Sequence, residues 1–201
     1  MAPETPYRIA ALLILGLMML VVAYRRWQAR SPHERISRKE EGPFIFIALP
    51  VAGFSFWIGM LVYLVDPDLM QWAELPIPSW LRWLGAGIGI FAVGLIYWTL
   101  AHLGRNLTNT VVVRSTATLV TTGPYRFVRH PFYVAGAIWM IGISFLAANW
   151  FLGLSGLLLI LVLVLRTPTE EQKLIEKFGD EYRAYVATTG RFFPKALPKL
   201  R

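Results

Sequence analysis

Two short polar segments flank the longest uncharged run in the chain, Pro131 to Leu165. Tyr125, Arg126, Arg129, His130 and Tyr133 cluster around its start, and Glu170-Glu171 follow its end. Pro131 suits the first turn of a helix, where its missing N–H costs nothing and the next backbone N–H groups point outward unpaired. With Arg129 and His130 beside it, such a helix start forms a pocket for an anion or carboxylate. The plainer reading is that Arg126, Arg129 and Tyr133 anchor the helix at lipid headgroups.

Past the run, Leu174, Ile175, Phe178, Tyr182, Tyr185 and Val186 recur at helical spacing. Thr167 fits an N-cap, Pro168 the first helical position and Glu170 the third residue of a capping box, so Glu170 has a structural explanation. Glu171 has none. It falls in the centre of the apolar face, where a carboxylate needs a partner. Arg129 or Arg166 in an ion pair, or a cationic ligand, would serve.

The elements that carry these segments belong to a membrane. Of 201 residues, 56% are apolar and 16% charged, and mean hydropathy is +0.50. With no cysteine, disulfide scaffolds, thiolate metal sites and cysteine nucleophiles are excluded. Arg8 to Arg25, Phe44 to Val65 and Trp83 to Ala101 bracket three spans, the first expected to stay uncleaved because Tyr24-Arg25-Arg26-Trp27 follows it directly. Pro131 to Leu165, at about 1.5 Å per residue, is far longer than one crossing needs, so a tight hairpin turning at Asn149 is expected. The fold class is therefore all-α, an integral membrane protein of five transmembrane helices with a cytosolic C-terminal amphipathic helix. Residues 1–102 form three helices and loops, and 103–201 a catalytic region integrated with them.

Eighteen of the twenty Lys and Arg fall in the loop after span one, in Leu103 to Phe132, or from Arg166 onward. All three lie on one side, which the positive-inside rule makes cytosolic, with the N-terminus outside. The net charge of +8 thus reports topology, and no nucleic-acid partner is expected. Gly85-Ala86-Gly87-Ile88-Gly89 resembles a dinucleotide loop but lies inside span three, where Gly85 and Gly89 suit close helix packing, as do Gly153 and Gly156. Asn106-Leu107-Thr108 matches a glycosylation acceptor but falls on the cytosolic side.

The C-terminal half resembles the isoprenylcysteine carboxyl methyltransferase family and its relatives among membrane phospholipid methyltransferases. The resemblance is carried by Leu103-Gly104-Arg105-Asn106, by Thr122-Gly123-Pro124-Tyr125-Arg126-Phe127-Val128-Arg129-His130-Pro131-Phe132-Tyr133, and by Glu170-Glu171, Phe178-Gly179-Asp180-Glu181-Tyr182, Arg191 and Pro194. It implies S-adenosylmethionine as methyl donor, leaving S-adenosylhomocysteine, bound at the cytosolic face without a Rossmann domain. Gly123, Tyr125, Arg129, His130, Tyr133, Val134, Glu170 and Glu171 are the cofactor-binding residues so implied. Arg191 would hold an acceptor carboxylate, with Asn106 as second donor, and no metal is needed. Arg129 and His130 suit the donor's carboxylate, Glu171 its cations or ribose hydroxyls, and Tyr125 and Tyr133 its adenine or sulfonium.

The partners expected are the bilayer and a lipophilic acceptor, and the compact length resembles prokaryotic members, which places the chain in an inner membrane. A carboxylate of an isoprenylcysteine-like molecule leads, with a phospholipid amine or a thiol as alternatives. A non-enzymatic scaffold is a further reading, and transport is disfavoured by spans without interior charge.

Overall fold

A computed structural model describes residues 4–29, 42–104 and 117–195. Among these the architecture is all-helical: α1 (Thr5–Gln28), α2 (Pro43–Val65), α3 (Ser79–Leu103), α4 (Pro131–Ala147), α5 (Trp150–Phe178) and α6 (Asp180–Thr188). Short 3-10 turns occupy Pro67–Ala73 and Gly123–Arg126. Four helices, α1, α2, α3 and α5, are long and apolar enough to cross a bilayer, and α4 is a shorter apolar helix of 17 residues. The protein is an integral membrane protein. Leu13, Leu20, Phe54, Phe91 and Leu157 point outward and exposed, as a lipid-facing surface requires, while Ile14, Phe56, Ile96, Trp139, Ile143 and Leu152 fill the centre.

Small residues decide how close the helices come. A Cβ on Gly85 would stand 2.6 Å from the Gly142 carbonyl oxygen, and one on Gly142 would stand 2.7 Å from the Gly89 amide nitrogen. α3 and α4 therefore pack backbone to backbone, the role expected of the glycine spacing in α3. Gly153 and Gly156 of α5 instead make room for side chains of α4, those of Ser144 and Met140. The chain reverses between α4 and α5 in two residues. Ala148 adopts φ 50, and the Asn149 side chain caps α5 by accepting from the Leu152 N–H at 3.0 Å.

At the far end from the polar segments, Arg82 is buried with its guanidinium bidentate on Glu4 at 2.6 and 2.7 Å. Its Nε donates to the Leu146 carbonyl, and its charge lies 3.6 Å from the centre of the Tyr7 ring. This one side chain ties α1, α3 and α4 together, and its partners satisfy its charge.

The expected helix start at Thr167 is corrected. α5 runs without interruption from Trp150 to Phe178 with Pro168 inside it, and Thr167 Oγ1 bonds back to the Leu163 carbonyl at 3.1 Å instead of capping. Proline removes one backbone bond, but the helix already propagating from the apolar arm absorbs that loss. The capping-box explanation of Glu170 falls with it. At about 1.5 Å per residue the 29 residues of α5 span about 44 Å, beyond a hydrocarbon core of about 30 Å, so Glu170 and Glu171 project from the same rod that forms the hairpin. The expected separate C-terminal amphipathic helix is thereby divided: its first part is the end of α5, and Gly179, at φ 56, turns the chain into α6.

Gly142→Val should cost about 1–3 kcal/mol by forcing α3 and α4 apart. Gly87→Val, at a position with open space around it, should stay within about 0.5 kcal/mol. Melting temperatures in detergent measure both.

Candidate active site

Three backbone pieces converge on Glu171. α5 presents it on its buried side, only 7% exposed. The turn before α4 presents Arg129 and His130, both buried, with His130 as the N-cap residue of α4 and Pro131 as its first residue. The third piece follows α6. There Val128 and Gly190 pair as a parallel bridge, the Arg129 N–H donates to the Gly190 carbonyl at 2.8 Å, and the His130 N–H donates to the Arg191 carbonyl at 3.1 Å. That pairing satisfies backbone groups just ahead of the helix and delivers the Arg191 side chain to the cluster.

The Glu171 carboxylate accepts from all three residues. Oε1 receives Arg129 Nε at 2.9 Å, His130 Nε2 at 3.1 Å and Arg191 Nε at 3.1 Å, and Oε2 receives Arg191 Nη2 at 2.5 Å. Arg129 Nη2 adds a contact at 2.8 Å, and its Nη1 donates to the Thr189 carbonyl. A carboxylate only accepts, so Nε2 of His130 carries its proton toward Glu171. Of the two ion-pair partners raised from sequence, Arg129 is the one that meets Glu171. Arg191 joins it, and helical periodicity had no means of showing that.

Beside this cluster, Tyr133 Oη donates to Glu170 Oε2 at 2.7 Å. The His130 ring stacks on Tyr133 with centroids 5.5 Å apart and planes inclined by 13°, and Phe192 lies 5.7 Å away on tilted geometry. Tyr125 is buried and its carbonyl accepts from the Tyr185 hydroxyl. Burial pushes the Tyr185 hydroxyl up to about 12 against the pull of Arg129, and Tyr125 and Tyr182 are raised by burial as well. The phenols therefore stay protonated donors. Arg191 is held more firmly protonated by its hydrogen bond to Glu171.

Gly123 and Val134 stand outside the bonded cluster. Gly123 sits at φ 60 with the His102 ring against it, so close that a Cβ would lie 2.4 Å from Cδ2, which requires glycine there on both counts. Val134 is half-buried one turn into α4. Asn106 lies outside the described residues. Tyr182, placed by sequence on the apolar face and in the family resemblance but given no site role, is 1% exposed, and its hydroxyl finds no hydrogen-bond partner among the described residues yet feels the charges of Glu171 and Arg129. A tyrosine on the apolar face carries no signal that distinguishes it from a core residue.

Arg129 and Glu171 form a buried pair, and removing the carboxylate strands the buried Arg129 guanidinium. Glu171→Met should lower stability by about 3–5 kcal/mol, read as a fall in melting temperature in detergent. A change below about 1 kcal/mol would mean that the pair is not formed.

Residues 85–176 match the model of the isoprenylcysteine carboxyl methyltransferase (ICMT) family. The chain is 33% identical over 138 residues to the protein-S-isoprenylcysteine O-methyltransferase of Homo sapiens, covering 67% of this chain and 47% of that protein. To the enzyme of the same name from Schizosaccharomyces pombe it is 32% identical over 154 residues, covering 66% and 64%. The chain thus spans about half to two thirds of the length of these relatives. Among solved structures, a eukaryotic intramembrane Ras methyltransferase ICMT superposes with a TM-score of 0.56 at 22% identity, over 96% of this chain and 68% of that one, which shows a shared membrane fold. Arg129, His130 and Glu171 lie inside the matched stretch and Arg191 beyond it, and through residues 85–176 the chain is similar to the isoprenylcysteine carboxyl methyltransferase family.

Proposed function

We propose that this chain is an S-adenosylmethionine-dependent methyltransferase working at the cytosolic membrane face on a lipophilic carboxylate such as an isoprenylcysteine. The observation that carries the reading is the convergence of Arg129, His130 and Arg191 on the buried Glu171, at the end of a rod that emerges from the bilayer. The residues suit the donor's mixed charge: Glu171 for a cationic group, Arg129 and the first amides of α4 for a carboxylate, Tyr133 and Tyr125 for the adenine or sulfonium. Glu170, tied to Tyr133, orients that ring.

The bound donor supplies a methyl group on sulfonium, which passes to an acceptor oxygen in one displacement that leaves a thioether. The protein then needs no covalent intermediate and no proton relay. Its residues align the two partners and keep water out, and alignment supplies most of the rate. Arg191, the cation nearest the open side, holds the acceptor's carboxylate with Asn106 as a second donor. Its charge favours an anionic acceptor over a lipid amine, which it would repel. A lipophilic acceptor reaches the site laterally from the bilayer, whereas the donor enters from water.

The same reading places α4 and α5 as the fourth and fifth crossings, with the N-terminus outside and the C-terminus in the cytosol of a prokaryotic inner membrane. Because the chain has no cysteine, a single introduced one reports its side. Asp68→Cys should react with an impermeant maleimide in intact cells and Lys177→Cys only after permeabilisation; the reverse pattern overturns the orientation.

For the activity, saturating S-adenosylhomocysteine should raise the melting temperature, by the equivalent of about 2.7 kcal/mol at a hundredfold excess over Kd. His130→Ala and Glu171→Gln should lose that rise, and tritiated methyl should appear on an isoprenylcysteine carboxylate in preference to lipid amines or thiols. Folded protein with no ligand-dependent shift would refute the reading.

A further inference from the structure

Two guanidinium groups and an imidazole share one carboxylate. Oε1 of Glu171 is shared by Arg129, His130 and Arg191, whereas Oε2 is held, among the described residues, by Arg191 Nη2 alone at 2.5 Å. Arg129 is fixed from elsewhere, through its Nη1 bond to the Thr189 carbonyl and its burial. His130 is stacked on Tyr133 and also meets the Phe192 ring. The Arg191 side chain is different: it is 40% exposed, against 6% for each of the other two, and its hydrogen bonds both end on Glu171.

We infer that Arg191 is an internal competitor for the donor site, its guanidinium occupying on Glu171 Oε2 the place that a cationic group of the methyl donor takes. This rests on the donor reading above. Exchanging one cation for another leaves the buried carboxylate paired at the start and at the end, so the swap avoids the cost of a stranded charge. The displaced guanidinium does not drift away. The Arg191 carbonyl accepts from the His130 amide and the neighbouring Gly190 carbonyl from the Arg129 amide, so the guanidinium is released within a side-chain length of the cluster, where it can take an anionic acceptor. Glu171 is then a carboxylate that is never bare, closed by Arg191 in the free protein and by the donor in the loaded one. Only the fraction of molecules with Arg191 swung off is competent to bind, so the measured affinity is lowered by that fraction.

Titration calorimetry of S-adenosylhomocysteine, which retains the ammonium, against wild type, Arg191→Gln and Arg191→Lys in detergent tests this. Arg191→Gln should bind about twofold to fivefold tighter than wild type, because a partly exposed pair shuts the site by roughly that factor, while methyl transfer is lost. Arg191→Lys, which keeps a cation without the guanidinium fork, should fall between the two. Wild-type binding with equal or weaker binding by Arg191→Gln overturns the competition and leaves the donor reading standing. Absence of binding by all three folded proteins overturns both. If Arg191→Gln does not fold, Arg191→Lys decides alone: tighter than wild type supports the inference, equal or weaker overturns it.

Discussion

A carboxylate taken out of water must be paid for by groups that bring charge and hydrogen bonds to it, and in this protein the Glu171 carboxylate ties together the elements at its end of the bundle. It sits on α5, it is met by Arg129 and His130 from the entry to α4, and it is met again by Arg191 from the segment after α6. Three stretches far apart in the chain are thereby fixed to one another at a single point. Unpaired burial of any of these charges is costly, so the geometry of the site and the stability of the region are the same matter. The backbone bonds from Arg129 and His130 to Gly190 and Arg191 extend that arrangement without side chains.

The bundle makes such a cluster possible by holding α4 and α5 in fixed relation. Glycines at 85 and 142 remove the space between α3 and α4. The turn at Ala148 and Asn149 then returns the chain along the same face. Because α5 does not break at Pro168 but continues to Phe178, Glu171 inherits the rigidity of a membrane helix. A separate amphipathic helix lying on the membrane would have left the carboxylate at the end of a hinge. At the opposite end, the buried Arg82 with Glu4 provides a second polar tie, far from the site, which fixes α1 to α3 and α4.

Much of this was legible in the amino-acid sequence, for physical reasons that differ from element to element. The lipid-facing character follows from long uncharged runs, and the hairpin from a run too long for one crossing with a polar residue at its middle. Glu171 drew notice because period 3.6 placed it on an apolar face. Arg191 is a different case, since nothing in local pattern shows that the chain after α6 pairs with Val128, and only the resemblance pointed to it. Thr167-Pro168-Glu170 misled because capping preferences describe helices that begin, whereas here an apolar arm already propagating carries the helix through. The resemblance makes Gly123 a ligand contact, and the His102 ring packed against it gives it a structural reason in its own right. For Tyr182 the helical spacing and the resemblance mark the position but not a role, because its buried hydroxyl lies on a face where an aromatic residue is expected.

In the proposed function the cluster around Glu171 is where a sulfonium nucleoside is held. A structure of the wild-type protein determined with S-adenosylhomocysteine bound addresses this most directly. The ligand's amino group is predicted within hydrogen-bond distance of Glu171, with its carboxylate toward Arg129 and the start of α4. Density for the ligand elsewhere in the bundle, with Glu171 still closed by Arg129, His130 and Arg191, would contradict the account.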